Sequence, residues 1–387
     1  MFILNLIQKI LTRTTEMILN KFIIYIKNAD WILFFSFFIL ICFGVIEIYS
    51  IALSQNSADL LNFKKHLLYI IFGLALFFFL SAIDYNNIKQ LSLVLYIIGI
   101  LLLIIVLFFG RTVRGTKGWL YIGNNGIQPV EFIKIIFIIF FAKYFSGVKS
   151  KIKDFKYIII SGLFCLTAVF LVMLQPDFGS AMLLFLLWFS MLFIVGFDKK
   201  HFLIIILIVG IIASAGWFIF FKDYQKQRII TFINPSSDPL YRGYNALQAM
   251  IAVGSGGLIG RGVGFGSQSQ LKFLPESQND FIFAVISEEL GFFGVIIVFL
   301  LFALFFYRII INAKRSSDLF GYYFLMGVLS LIFIEMLINI SMNIGIMPII
   351  GISLPFLSYG GSAIISTLIM VGIAESIIIR SSNKLKI

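Results

Sequence analysis

The side chains able to do chemistry in this chain are a few acids set among apolar residues. The segment LKFLPESQNDFIFAVISEELGFFG (Leu271–Gly294) is the most informative. Pro275 reads as a helix start, with Glu276 in its first turn and Asp280 four residues on, on the same face. Asp280 then lies about one turn below a surface, beside Phe281 and Phe283. Partial burial raises a carboxyl pKa, which suits a general base that must take a proton near neutral pH. Blander readings stand beside these: Glu276 as compensation for a helix N-terminus, Asp280 as the buried partner of a cation. Glu288 and Glu289, two to three turns deeper, read as residues that hold helices together.

Glu131 and Lys134, in QPVEFIK, are three apart on one helix and can pair within a membrane. Fold support and substrate-site electrostatics are equal readings of that pair. QPDFG (Gln175–Gly179) repeats the Gln-Pro-x-acid pattern with Asp177 at another helix start. Glu47, Glu335 and Glu375 read as structurally paired acids. The glycine-rich stretch GSGGLIGRGVGFGSQS (Gly254–Ser269) lacks the preceding strand of a dinucleotide site and reads as pliable backbone that approaches a ligand or partner closely. LPFLSYGGSA (Leu354–Ala363) puts Ser358, Gly361 and Ser362 near the start of the last apolar run, for packing or for a ligand. His66 and His201 are far apart in sequence and offer no metal constellation. Cys42 and Cys165 read as small core residues.

The elements that must position these residues follow from composition. The 387 residues are 60% hydrophobic and 12% charged, with mean hydropathy +1.05. Too few charges remain to coat a globule, so a soluble domain is excluded and hydrocarbon is the fitting solvent. Apolar runs long enough to span recur near 31–51, 66–83, 91–110, 128–146, 157–174, 177–196, 201–221, 279–307, 321–344 and 355–379. The expected fold is therefore an all-α polytopic membrane protein of about ten spans, with both termini cytoplasmic. Residues 1–28 form an interfacial segment, 29–380 one membrane domain with an outer loop at 222–278, and 381–387 a cytoplasmic tail. Met17 is an alternative start.

Lys and Arg set the orientation. With the N-terminus inside, 18 of the 30 basic residues fall on inner segments, 11 on outer ones, and Lys134 within a span. Positive charge on the outer side, including Arg111, Arg114, Lys117, Arg242, Arg261 and Lys272, points to an anionic ligand or to anionic headgroups. All seven prolines fall on that side. Pro129, Pro176, Pro275 and Pro355 head inward-running helices whose partly positive N-termini can receive phosphate oxygens.

In this order, RGTKGW with QPVEFIK, QPDFG, NPSSDPLYRGYNALQAMIAVGSGG, FLPESQNDFIFAVISEELG and LPFLSYGGS resemble the SEDS family of polytopic membrane glycosyltransferases. The likeness runs from about residue 30 to 380 and is nearer the elongation member RodA than the division member FtsW. It implies polymerisation of lipid II, a disaccharide-peptide on undecaprenyl pyrophosphate, at the outer face of the bacterial cytoplasmic membrane. The implied partner is a class B penicillin-binding transpeptidase within an elongation or division complex. Asp280 is then the catalytic residue. Arg114, Lys117, Gln128, Glu131, Lys134, Asp177, Arg242, Glu276, Ser358 and Gly361 form the expected substrate-binding set. Two departures stand out: Glu276-Ser277-Gln278-Asn279-Asp280 replaces the usual Glu-x-His-Thr-Asp, and Gly118 replaces the usual Arg before Trp119. No ligand cluster demands a metal, although a divalent cation such as Mg could assist the pyrophosphate. A lipid II flippase and a non-catalytic scaffold are the competing classes.

Overall fold

The computed structural model describes residues 27–53, 60–113, 115–123, 125–152, 154–198 and 242–384, with isolated positions between 200 and 232. Among these residues the long helices are α1 (Trp31–Leu53), α2 (Leu61–Ala82), α4 (Ser92–Phe109), α5 (Pro129–Val148), α6 (Phe155–Leu174) and α7 (Phe178–Val195), followed by α10 (Ile282–Lys314), α11 (Leu319–Asn343) and α12 (Gly361–Lys384). Shorter helices are α3 (Tyr85–Gln90), α8 (Arg242–Ser255) and α9 (Ser267–Gln270). Long Ile, Leu and Phe runs become helices because hydrocarbon offers no partner for a backbone N–H or C=O.

Eight of the long helices are long and apolar enough to cross a membrane, so the chain is a multi-pass membrane protein. The remaining one, α5, has the length but carries Glu131, Lys134 and Lys143. The span expected at 201–221 lies outside the described residues, as do most of the outer loop 222–278 before Arg242 and the segment 1–26.

The all-α expectation fails at one place. Residues 111–127 form a three-stranded antiparallel sheet, β1 (Arg111–Val113), β2 (Thr116–Ile122) and β3 (Asn125–Ile127), in the order β1-β2-β3. Gly115 and Gly123, both at positive φ, make the two turns that no β-branched residue could make cheaply.

The proline expectation holds for Pro129, which stands in the first turn of α5. Elsewhere an acid or a loop intervenes. Asp177, not Pro176, caps α7 by accepting from the Ser180 N–H at 3.0 Å. Pro355 precedes α12 by six residues, and 275–281 are turns, so α10 begins at Ile282.

Small residues set the packing. A Cβ at Gly73 of α2 would lie 2.6 Å from Leu368 of α12, and one at Gly372 would lie 2.8 Å from the Phe77 carbonyl. Gly44 of α1 likewise meets the Leu357 carbonyl. Backbones approach this closely only where the side chain is missing. Cys165 is buried in the bundle, whereas Cys42 faces outward and is no core residue.

Charge gathers the helix ends. At one end Asp30 pairs with Arg308 at 2.7 Å and its N–H donates to Glu375 at 2.7 Å, while Lys89 pairs with Asp318. The start of α1 and the last turns of α12 therefore share an end. The opposite end carries the sheet, residues 242–281 and the 344–360 segment.

Candidate active site

Asp280 sits in the last turn before α10, and its main chain is clamped. Asn339 Nδ2 and Asn343 Nδ2 of α11 each donate to the Asp280 carbonyl at 3.0 Å. Asn339 Nδ2 also donates to the Ile352 carbonyl at 2.8 Å. From the other side, Ser358 Oγ donates to the Asn279 carbonyl at 2.7 Å and the Tyr359 N–H donates to the Gln278 carbonyl at 2.8 Å. The carboxylate is half-buried against Gly351, where a Cβ would stand 3.5 Å from Oδ2. Gly351 is at φ +83°, so a side chain there would be strained as well as close to the carboxylate.

The approach to Asp280 differs from the helical expectation. Glu276 and Asp280 do not share a helix face, because Glu276 is at φ +53° in a run of turns. Asn279 and Phe281 donate their N–H groups to the Glu276 carbonyl, and Asn279 Nδ2 donates to Glu276 Oε2 at 2.8 Å. Lys272, at φ +60°, is a second non-glycine residue in left-handed geometry. Such backbone costs on the order of 1–3 kcal/mol and persists only where surroundings hold it. Both residues line a cleft of about 420 Å³ that also touches Ile51, Asn62, Ser269, Ser277 and Tyr359.

Beneath this rim lies a buried charge triad. Lys134 Nζ is 2.7 Å from Glu131 and 2.6 Å from Glu335, so the expected pairing within α5 is present and α11 adds a second acid. Glu335, Asn339 and Asn343 recur every four residues on one stripe of α11, about 6 Å of rise per step. The triad is thus one helical step below the clamp on Asp280. Ser366 of α12 also reaches Glu131 at 3.5 Å.

The glycine-rich stretch makes its close approach to the chain's own backbone, where a ligand or partner was the expectation. Helix α10 is broken at Gly291 (φ 66°, ψ −164°), which strands N–H and C=O groups on both sides. Residues 257–262 satisfy them. Phe292 and Phe293 donate to the Gly257 and Leu258 carbonyls, while Arg261 and Gly262 donate to the Glu288 and Glu289 carbonyls. Glu288 and Glu289 hold the same loop with their side chains, accepting from Gln268 N–H at 2.8 Å and Gly264 N–H at 2.9 Å.

The other expected residues that the structure describes fall at the same end of the bundle. Lys117, in β2, donates its N–H to the Gln175 carbonyl at 3.0 Å, which fastens the sheet to the turn before α7. Gln128 donates its N–H to Ser362 Oγ at 3.0 Å, joining the sheet to the start of α12. Asp177 spends its carboxylate on the α7 cap and on Ser180 Oγ at 2.8 Å. A Cβ on Gly361 would strike the Tyr69 ring at 2.7 Å, so this glycine serves packing. Arg242 opens α8, and Arg114 lies outside the described residues.

Asn339 and Asn343 were missed by the sequence reading. Two amides one turn apart in an otherwise apolar run were the available signal. Among the described residues no group of three or more His, Cys, Asp or Glu side chains is placed to hold a metal ion.

The clamped Asp280 directly follows Asn279 of the cleft wall, at one end of a polytopic helix bundle, an arrangement that suits a membrane enzyme. The cell cycle protein family model FTSW_RODA_SPOVE matches residues 30–383, and the chain belongs to that family. It is 37% identical to stage V sporulation protein E of Bacillus subtilis, over 89% of this chain and 96% of the relative. It is 31% identical to the peptidoglycan glycosyltransferase RodA of Treponema pallidum, over 91% and 98% respectively. A solved structure described as the structural coordination of polymerization and crosslinking by a peptidoglycan synthase complex matches with TM-score 0.78 and 27% identity. It covers 91% of this chain and 98% of the matched one.

Proposed function

We propose that this chain is a peptidoglycan glycosyltransferase that polymerises lipid II into glycan strands at the outer face of the bacterial cytoplasmic membrane. The observation that carries the reading is the clamp on Asp280, an acid held at the mouth of the bundle by two buried asparagines. The enzyme class is the one named in its relatives.

In this reading Asp280 accepts the proton of an acceptor sugar hydroxyl as that oxygen attacks the donor's anomeric carbon. The bond to the pyrophosphate breaks as the glycosidic bond forms, with inversion. Lys117, Lys272 and Arg261 lie at the same end as Asp280 and stabilise the anionic leaving group electrostatically. Lys134 is neutralised by two acids, which favours support of the fold beneath the site over direct contact with phosphate.

The orientation rests on the excess of Lys and Arg at the ends joined by Asp30 and Arg308, which makes those ends cytoplasmic. A class B penicillin-binding transpeptidase is the partner, in keeping with the crosslinking complex named for the structural neighbour. The role in elongation rests on the RodA-like character of RGYNALQAMIAVGSGG and PIIGISLPFLSYGGS.

The test is polymerisation of lipid II by the purified chain, with and without a co-expressed transpeptidase, beside transport of labelled lipid II in liposomes. Polymer without transport supports the reading; transport without polymer makes the chain a flippase. Depletion in cells separates the roles: rounding marks elongation and filaments mark division.

A further inference from the structure

Glu47 of α1 takes no part in the chemistry described above. It is fully buried, and neither carboxyl oxygen receives a hydrogen bond from any described residue. It lies within hydrogen-bond reach of Glu289 on α10. Glu289 is well supplied with donors: Ser50 Oγ at 2.7 Å, the Gly264 N–H at 2.9 Å, Gln270 Nε2 at 3.0 Å and Ser269 Oγ at 3.2 Å. That is the surrounding an ionised carboxylate needs when buried.

Two ionised carboxyl groups in contact repel strongly at low dielectric, and one normally keeps its proton. The donors decide which one. Glu289 has four and Glu47 has none, so ionisation of Glu47 would leave a buried anion with nothing to stabilise it. Glu288, the next acid, is occupied with the N–H groups of Gln268 and Ser269 and brings no positive charge.

We propose that Glu47 keeps its proton and donates a hydrogen bond to Glu289, so that α1 braces the cleft through a carboxylic acid. The consequence is positional. Glu289 holds Ser269 and Ser50; Ser269 lines the cleft, as does Ile51 beside Ser50. Glu47 is thus a positioning residue that acts through Glu289 on the part of the cleft wall that Ser269 and Ile51 form. The rate consequence rests on the polymerase reading; the protonation does not.

The experiment compares wild type, Glu47→Gln and Glu47→Ala, purified intact. Infrared difference spectra at neutral pH are expected to show a protonated-carboxyl C=O band in the wild type that Glu47→Gln lacks. Gln keeps an N–H donor toward Glu289 and is expected to polymerise lipid II within about twofold of wild type, whereas Ala slows it about tenfold. Absence of the band overturns the proposal, as does Gln slowing the reaction as much as Ala. If Ala fails to fold, the band and the Gln rate still decide. If no variant polymerises lipid II, the functional reading fails while the band still tests the proton.

Discussion

Asn339 of α11 donates from one amide nitrogen to two carbonyls, those of Asp280 at 3.0 Å and Ile352 at 2.8 Å. This side chain therefore fixes the distance between the turn bearing the acid and the strap that carries Gly351 past it. Both contacts are to main chain, so the aspartate is aimed by its backbone.

Asn339→Leu removes both contacts while Asn343 still reaches Asp280. Leaving a buried carbonyl unpaired costs roughly 1–3 kcal/mol. Thermal unfolding in detergent should show that loss, and polymerisation should slow with it, because the turn and the strap are no longer coupled.

Lys134→Met should be severe. It leaves Glu131 and Glu335 facing one another without the ammonium between them. Breaking a buried ion pair from one side costs about 3–5 kcal/mol. Combining it with Glu131→Gln and Glu335→Gln removes the uncompensated charge and should restore much of the folded yield, measured by size-exclusion chromatography.

Two glycines of similar φ should respond differently to alanine. Gly260 (φ +83°) and Gly264 (φ +84°) both pay for left-handed backbone, on the order of 1–2 kcal/mol for a non-glycine residue. A Cβ at Gly260 would also collide with the Glu289 carbonyl, whereas at Gly264 nothing lies within 4 Å. Gly260→Ala should therefore lower the unfolding temperature well beyond Gly264→Ala.

Tyr359 gives an alkaline prediction. Burial, with Tyr69 nearby, pushes its phenol up from the ordinary value of 10.0. A group whose folded pKa is raised stabilises below its unfolded value and loses that contribution as the pH rises through the folded one. Wild type should thus lose stability above about pH 10, and Tyr359→Phe should lose less over the same range.

The membrane architecture was legible because apolar runs of spanning length carry a strong signal, and the Glu131–Lys134 pair because helical spacing brings residues three apart together. The partner Glu335 was not, since its contact joins helices some 200 residues apart in sequence. The turn at 275–281 was misread for a physical reason: Pro275 can open a helix or a turn, and tertiary bonds from Ser358 and Tyr359 select the turn. The sheet at 111–127 was hidden because its strands are short and need only Gly115 and Gly123 to reverse. The glycine-rich stretch showed its need for close approach but not its partner, which is a break in a helix about 30 residues on.

The most direct test of the account is polymerisation of lipid II by purified Asp280→Asn, which keeps the size of the side chain and the backbone clamp. Asp280→Asn is expected at wild-type yield and unfolding temperature with no glycan polymer. Polymer formed at the wild-type rate would contradict it.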